Sequence, residues 1–134
     1  MSSPELENLV RAGMLKHEQP NEKELEGLRT SAEARLVDAE RQDLAFDSRF
    51  DLAYNAAHGL ALVALRRMGY RSDNRYLVFQ ALPHTVGAAA GLWRVLAKAH
   101  ARRNAIEYRG YIEHDERLLA ELISATQSLR EMLK

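Results

Sequence analysis

Tyr76-Leu77-Val78-Phe79-Gln80-Ala81-Leu82 is the stretch whose reading decides the fold, because its unbroken apolar run suits a buried strand or a short helix equally well. The segments around it read as helices. A single strand among them would lack a pairing partner and leave its backbone N–H and C=O groups unsatisfied, so the run is expected to be helical. The turn Ser72-Asp73-Asn74 precedes it, and Pro83 is expected to kink or end it by removing an amide donor and clashing with the preceding turn.

Upstream, Ser3-Pro4-Glu5 has the cap residue, first-position proline and first-turn acid of a helix start, opening a short helix in a leader of about twenty residues. Asn21-Glu22-Lys23-Glu24 has capping-box spacing, and Leu25, Leu28, Ala32, Leu36 and Ala39 then share one face of a helix reaching about residue 42. Asp47 or Ser48 is expected to cap the next helix, whose wide apolar face runs from Phe50 through Ala53, Ala57, Leu60, Ala61, Ala64 and Leu65 to Met68 and stops at Gly69. Downstream, a helix is expected from about Ala88 through Trp93 to about Glu107, followed by a break at Tyr108-Arg109-Gly110-Tyr111. Asp115 opens the last helix, with Leu118, Leu119, Leu122, Ile123, Thr126, Leu129 and Leu133 facing inward. The expected architecture is all-α: an up-and-down bundle of four main helices with one or two short ones, forming a single domain over 1–134 with its core bundle in 21–134.

A chain of 134 residues that is 46% hydrophobic and 28% charged suffices for one domain around one core. It contains no cysteine, which excludes a disulfide framework, a thiolate metal site and a cysteine nucleophile. Met1-Ser2-Ser3-Pro4-Glu5-Leu6 lacks the charged head and apolar stretch of a signal peptide, and no window approaches eighteen continuous apolar residues. Neither a signal peptide nor a membrane span is expected, and a cytoplasmic location without a membrane partner is. The net charge of zero conceals a basic middle. Residues 1–60 carry 7 Lys and Arg against 12 Asp and Glu, residues 61–110 carry 9 against 2, and residues 111–134 carry 3 against 5. Arg66, Arg67, Arg71 and Arg75 form one group, and Arg94, Lys98, Arg102, Arg103 and Arg109 another. Side by side they present a positive face to an anion; alternatively the acidic ends fold back and neutralise them.

Leu92, Leu96, Ala99, Arg103 and Ile106 recur at helical steps, so Arg103 interrupts an apolar stripe. A guanidinium there has to meet a carboxylate, reach solvent at a helix end, or face a ligand, because it stays charged and is costly to desolvate. Lys98, His100, Arg102, Arg103, Asn104, Glu107, Tyr108 and Arg109 crowd the last turns of that helix. Their plainer reading is a helix end whose cations complement the dipole, with Glu107 pairing Arg103 across one turn. The histidines His17, His58, His84, His100 and His114 form no His-x-x-x-His or Glu-x-x-His pair, so no metal is expected. Gly87-Ala88-Ala89-Ala90-Gly91 lacks the lysine and hydroxyl of a phosphate loop and reads as packing, so no cofactor is expected either.

Arg103-Asn104 with Tyr108 resembles the motif of the HEPN family of small helical bundles, an arginine followed by a polar residue and, a few positions on, a histidine. The resemblance covers the helix arrangement of about residues 22–133, and Tyr108 stands where the histidine belongs. It implies a homodimer with the two motifs facing each other, and a nucleotide- or RNA-binding protein or a metal-independent endoribonuclease paired with an antitoxin or a nucleotidyltransferase. A phenol with a reference pKa near 10 is a poor base at pH 7, so the expected activity is binding through Lys98, Arg102, Arg103, Asn104 and Tyr108, without strong catalysis. If RNA is cut, Arg103 stabilises the phosphorane charge and Tyr108 or His100 handles the proton. A second tyrosine two places beyond the motif histidine would fall at Gly110, and Tyr111 is one place too late for modification by a partner transferase. A non-enzymatic bundle that docks an acidic protein through its basic strip is the alternative from another class.

Overall fold

The computed structural model describes residues 3–109 and 114–134, with the side chains of 106–109 outside that description. Among the described residues there are four long helices: α2 (Glu22–Ala39), α3 (Phe46–Arg67), α6 (Ala90–Arg109) and α7 (Glu116–Met132). Three short ones, α1 (Pro4–Arg11), α4 (Arg75–Gln80) and α5 (Leu82–Thr85), accompany them, one more than the upper expectation. The architecture is an all-α bundle, and no helix among the described residues is long and apolar enough to cross a membrane.

Side-chain caps set three of the helix starts. Asn21, Asn74 and Asp115 each accept a hydrogen bond from the amide three residues on, at 3.2, 3.0 and 2.9 Å, and so start α2, α4 and α7. The run at 76–82 is helical as expected, split at Ala81 into α4 and α5. Pro83 sits in the first turn of α5, where its missing N–H costs nothing; it opens a new turn and does not close the old one. Neither Asp47 nor Ser48 caps α3. Ala45 precedes its first turn without a side-chain cap, because Phe46 is buried and stacks on Phe50 at 5.9 Å, which draws the helix start toward the core. Downstream, α6 begins two residues later than expected, and its helical backbone continues through Tyr108 to Arg109.

Helix α3 is the spine, packing against α2, α4, α6 and α7. Ala53, Ala57, Leu60, Ala61 and Ala64 are all buried, and small residues let neighbours approach: a Cβ on Gly59 would lie 3.1 Å from Ala32 Cβ of α2. Leu118, Leu119, Leu122 and Leu129 of α7 join the same continuous cluster, which also takes in Leu6 and Leu133 at the two ends of the chain.

The leader is tied down by charge. Arg66 is 1% exposed, and its Nε donates to Glu24 Oε1 at 2.6 Å. Its other nitrogens donate to the carbonyls of Glu18 (2.8 Å), Gln19 (2.8 Å) and Tyr70 (3.2 Å). Arg71 pairs with Glu18 at 2.5 Å and with Glu24. These bonds hold a two-residue antiparallel ladder that periodicity did not reveal, β1 (Lys16–His17) against β2 (Tyr70–Arg71). The hydrogen bond from Arg66 holds the Glu24 carboxyl below its ordinary range. Arg67 donates to the Leu133 carbonyl at 2.9 Å. The first arginine group does not act as one positive face: Arg66 and Arg71 are neutralised by Glu18 and Glu24, as in the reading where the acidic N-terminal part folds back, Arg67 is exposed and tied to the Leu133 carbonyl, and Arg75 turns elsewhere.

Candidate functional site

Three helices converge on one buried phenol. Tyr54, in the middle of α3, is 0% exposed, and its hydroxyl lies 2.8 Å from His100 Nδ1 on α6. On the other side of the imidazole, the Asn104 amide nitrogen lies 3.2 Å from Nε2, one helical turn on. The Asn74 cap starts α4 so that Arg75 and Phe79 reach the same place. Arg75 sits with its guanidinium 5.5 Å from the Tyr54 ring centroid, and Phe79 meets Tyr54 edge-on at 5.9 Å. Arg103 brings a second guanidinium to 5.1 Å from that ring and pairs through Nε with Asp51 at 3.5 Å. Tyr76, 39% exposed, completes the rim 5.8 Å from the His100 ring.

The electrostatics favour a neutral imidazole. With the amide nitrogen of Asn104 donating to Nε2, the ring proton belongs on Nδ1, where it is donated to the Tyr54 oxygen. A second ring proton would confront the Asn104 donor. Burial, then Arg103 and Arg75, lower the His100 pKa in the same direction. His58, edge-on to Phe79 at 6.1 Å, is lowered to about 4 by burial first, with Arg75 and His100 adding to it. Burial raises the Tyr54 phenol against the pull of Arg75. The site therefore offers two permanent cations, a neutral imidazole, one amide and one carboxylate.

Of the residues expected from sequence, Arg103 and Asn104 enter this cluster, and His100 enters it from upstream on the same helix. Arg103 follows buried Leu96 and Ala99 along the stripe, with a side chain that is 31% exposed and meets the Asp51 carboxylate. Lys98 and Arg94 are exposed on the outer face of α6, without an ion pair among the described residues, and Arg102 is half-buried. The side chains of Tyr108, Glu107, Ile106 and Arg109 lie outside the described residues. Sequence reading missed Tyr54, Asp51 and Asn55, because an aromatic on an apolar helix face and polar residues on its edge carry no local signal.

A cleft of about 370 Å³ opens beside the cluster, lined by Asp47, Ser48, Phe50, Asp51 and Arg103. A larger hollow, about 630 Å³, runs along α2, where Glu22, Glu26 and Glu33 outnumber Arg29 and Arg67, so it suits an anion poorly. His114 reaches toward the smaller cleft, 3.8 Å from Asp47 and stacked on Phe46 at 4.8 Å. No family model, no curated protein and no solved structure matches this chain.

Proposed function

We propose that the protein binds RNA or a nucleotide at the α3–α6 cleft, with Arg103 and Arg75 on phosphate and Asn104 as a polar contact. The observation that carries this reading is the convergence of two guanidiniums on the Tyr54 ring, at 5.1 and 5.5 Å, beside an imidazole held neutral. Buried aromatic contact fixes both cations in place, which lowers the entropy lost when they grip a phosphate. Lys98, with Arg94, supplies exposed positive charge on the outer face of α6, which attracts a polyanion at long range without touching the cleft. Tyr76 offers an exposed ring on which a base can stack. In this HEPN-like reading the protein is a homodimer, and its partner is an antitoxin or a nucleotidyltransferase.

Metal-independent endoribonuclease activity is the second reading, favoured by the placing of His100 next to Arg103. For the imidazole to take the proton that Tyr108 does not, Asn104 has first to turn away from Nε2, which frees that nitrogen as the acceptor.

The test is one gel: labelled single-stranded RNA in EDTA with wild type or Arg103→Ala, reading retention and cleavage together. Retention lost in a folded Arg103→Ala protein is expected. Cleavage lost with it establishes the second reading. Equal retention by the two proteins, or none by either, overturns the proposal and leaves the basic strip of α6 to dock an acidic protein.

A further inference from the structure

Asp51 and Asn55 lie one turn apart on α3, about 6 Å along its axis, and each holds a guanidinium. Asp51 Oδ1 is 3.5 Å from Arg103 Nε, and Asn55 Oδ1 accepts from Arg75 Nη1 at 3.0 Å. The Asn55 amide is oriented for this role, because its nitrogen donates to the Asp51 carbonyl at 2.8 Å. Both guanidiniums overlie Tyr54, so the edge of α3 presents two successive couples of permanent cation and oxygen acceptor. Asp47 and Ser48 continue the row of acceptors one turn back, lining the same cleft as Asp51 and Arg103.

A site built for phosphate alone gains orientation of its arginine from a neighbouring carboxylate but loses affinity to it, since the two anions repel. Asp51 is 61% exposed on its side chain and open to a ligand. A carboxylate so placed weakens the grip on a bare phosphate and favours a ligand that brings a hydroxyl donor next to its phosphate. The sugar–phosphate repeat of RNA meets that demand with its 2′-hydroxyl, and deoxyribose does not. Resting on the RNA-binding reading above, we infer that Asp51 accepts the ribose 2′-hydroxyl and separates ribo- from deoxyribo-strands. The Asn55 carbonyl oxygen repeats the contact one couple further along the strand.

The experiment is fluorescence polarisation with labelled oligouridylate and oligodeoxyuridylate of equal length, in EDTA at low salt, for wild type, Asp51→Ala and Asp51→Asn. Wild type is expected to prefer the ribo-strand about tenfold, the scale of one hydrogen bond to a charged group. Asp51→Ala brings the ratio close to one, losing affinity for the ribo-strand and gaining it for the deoxyribo-strand as the repulsion disappears. Asp51→Asn, which keeps an acceptor oxygen, retains part of the preference. Equal binding of both strands by wild type overturns the inference and leaves RNA binding standing, as does an equal weakening of both strands in Asp51→Ala. Binding of neither strand by wild type overturns both.

Discussion

The hydroxyl of Tyr54 and Nδ1 of His100 meet at 2.8 Å across 46 positions of sequence, joining the centre of α3 to the middle of α6. Because Tyr54 is fully buried, Tyr54→Phe keeps the packing and leaves the imidazole nitrogen without its partner. A loss of about 1–2 kcal/mol is expected, read as a lower urea midpoint at unchanged slope. A variant as stable as wild type would show that the bond contributes nothing to the fold.

Stability is expected to fall in mild acid through His58. Its folded pKa is about 4 against an ordinary value of 6.5, so the unfolded chain takes up a proton that the folded one refuses. The contribution is fully present above about pH 6.5, is lost as the pH drops toward 4, and levels off below that. Its full size is on the order of 3 kcal/mol, and His100 adds to it with the same sign. Urea unfolding at closely spaced pH values should flatten over this window in His58→Gln. An unchanged pH slope in that variant would remove His58 as the cause.

Arg66→Met is expected to be among the most damaging single changes away from the site. It removes a side chain that is 1% exposed, takes the donor from the carbonyls of Glu18, Gln19 and Tyr70, and leaves the Glu24 carboxylate with Arg71 alone. A buried acceptor left without its donor costs about 1–3 kcal/mol, and this change strands several together. Arg67→Met, which loses a bond to the Leu133 carbonyl at an exposed position, should cost far less. Thermal melts of the two variants side by side decide this, and equal melting temperatures would be the contrary result.

RNA binding at the cleft should follow the counterions released. Each guanidinium that neutralises a phosphate of a single strand contributes about 0.7 to the slope of log K against log salt. Arg75→Ala and Arg103→Ala are each expected to shallow that slope by about this amount, whereas Arg71→Ala, whose charge is already matched by Glu18 and Glu24, should leave it alone. A slope that does not distinguish the three variants would place the phosphates elsewhere.

The helices were legible because their signals are local. Asn21 and Asp115 announce their helices within four residues, and the stripes of Leu25 to Ala39 and Leu118 to Leu129 declare their inner faces. The start of α3 was misplaced because Asp47 and Ser48 are good capping residues, while burial of Phe46 sets the boundary. Arg66 read as a surface cation for the same reason: its partners Glu18, Gln19 and Glu24 lie 42 to 48 residues away. Arg103 and Asn104 stood out as polar residues against an apolar period. Tyr54 did not, since a phenol on an apolar face differs from a packing residue only through what His100, Arg75 and Arg103 bring to it.

The clasp of Arg66 over the Glu18 and Gln19 carbonyls has a consequence for how the chain survives cleavage. Leu6 and Leu15 are buried, so the leader shields apolar surface as well as satisfying a charge. A protease cut followed by loss of that leader would strip both at once, leaving Arg66 to Glu24 and water and wetting the apolar contacts that Leu6 and Leu15 covered. Such a remnant is expected to aggregate before its helices melt.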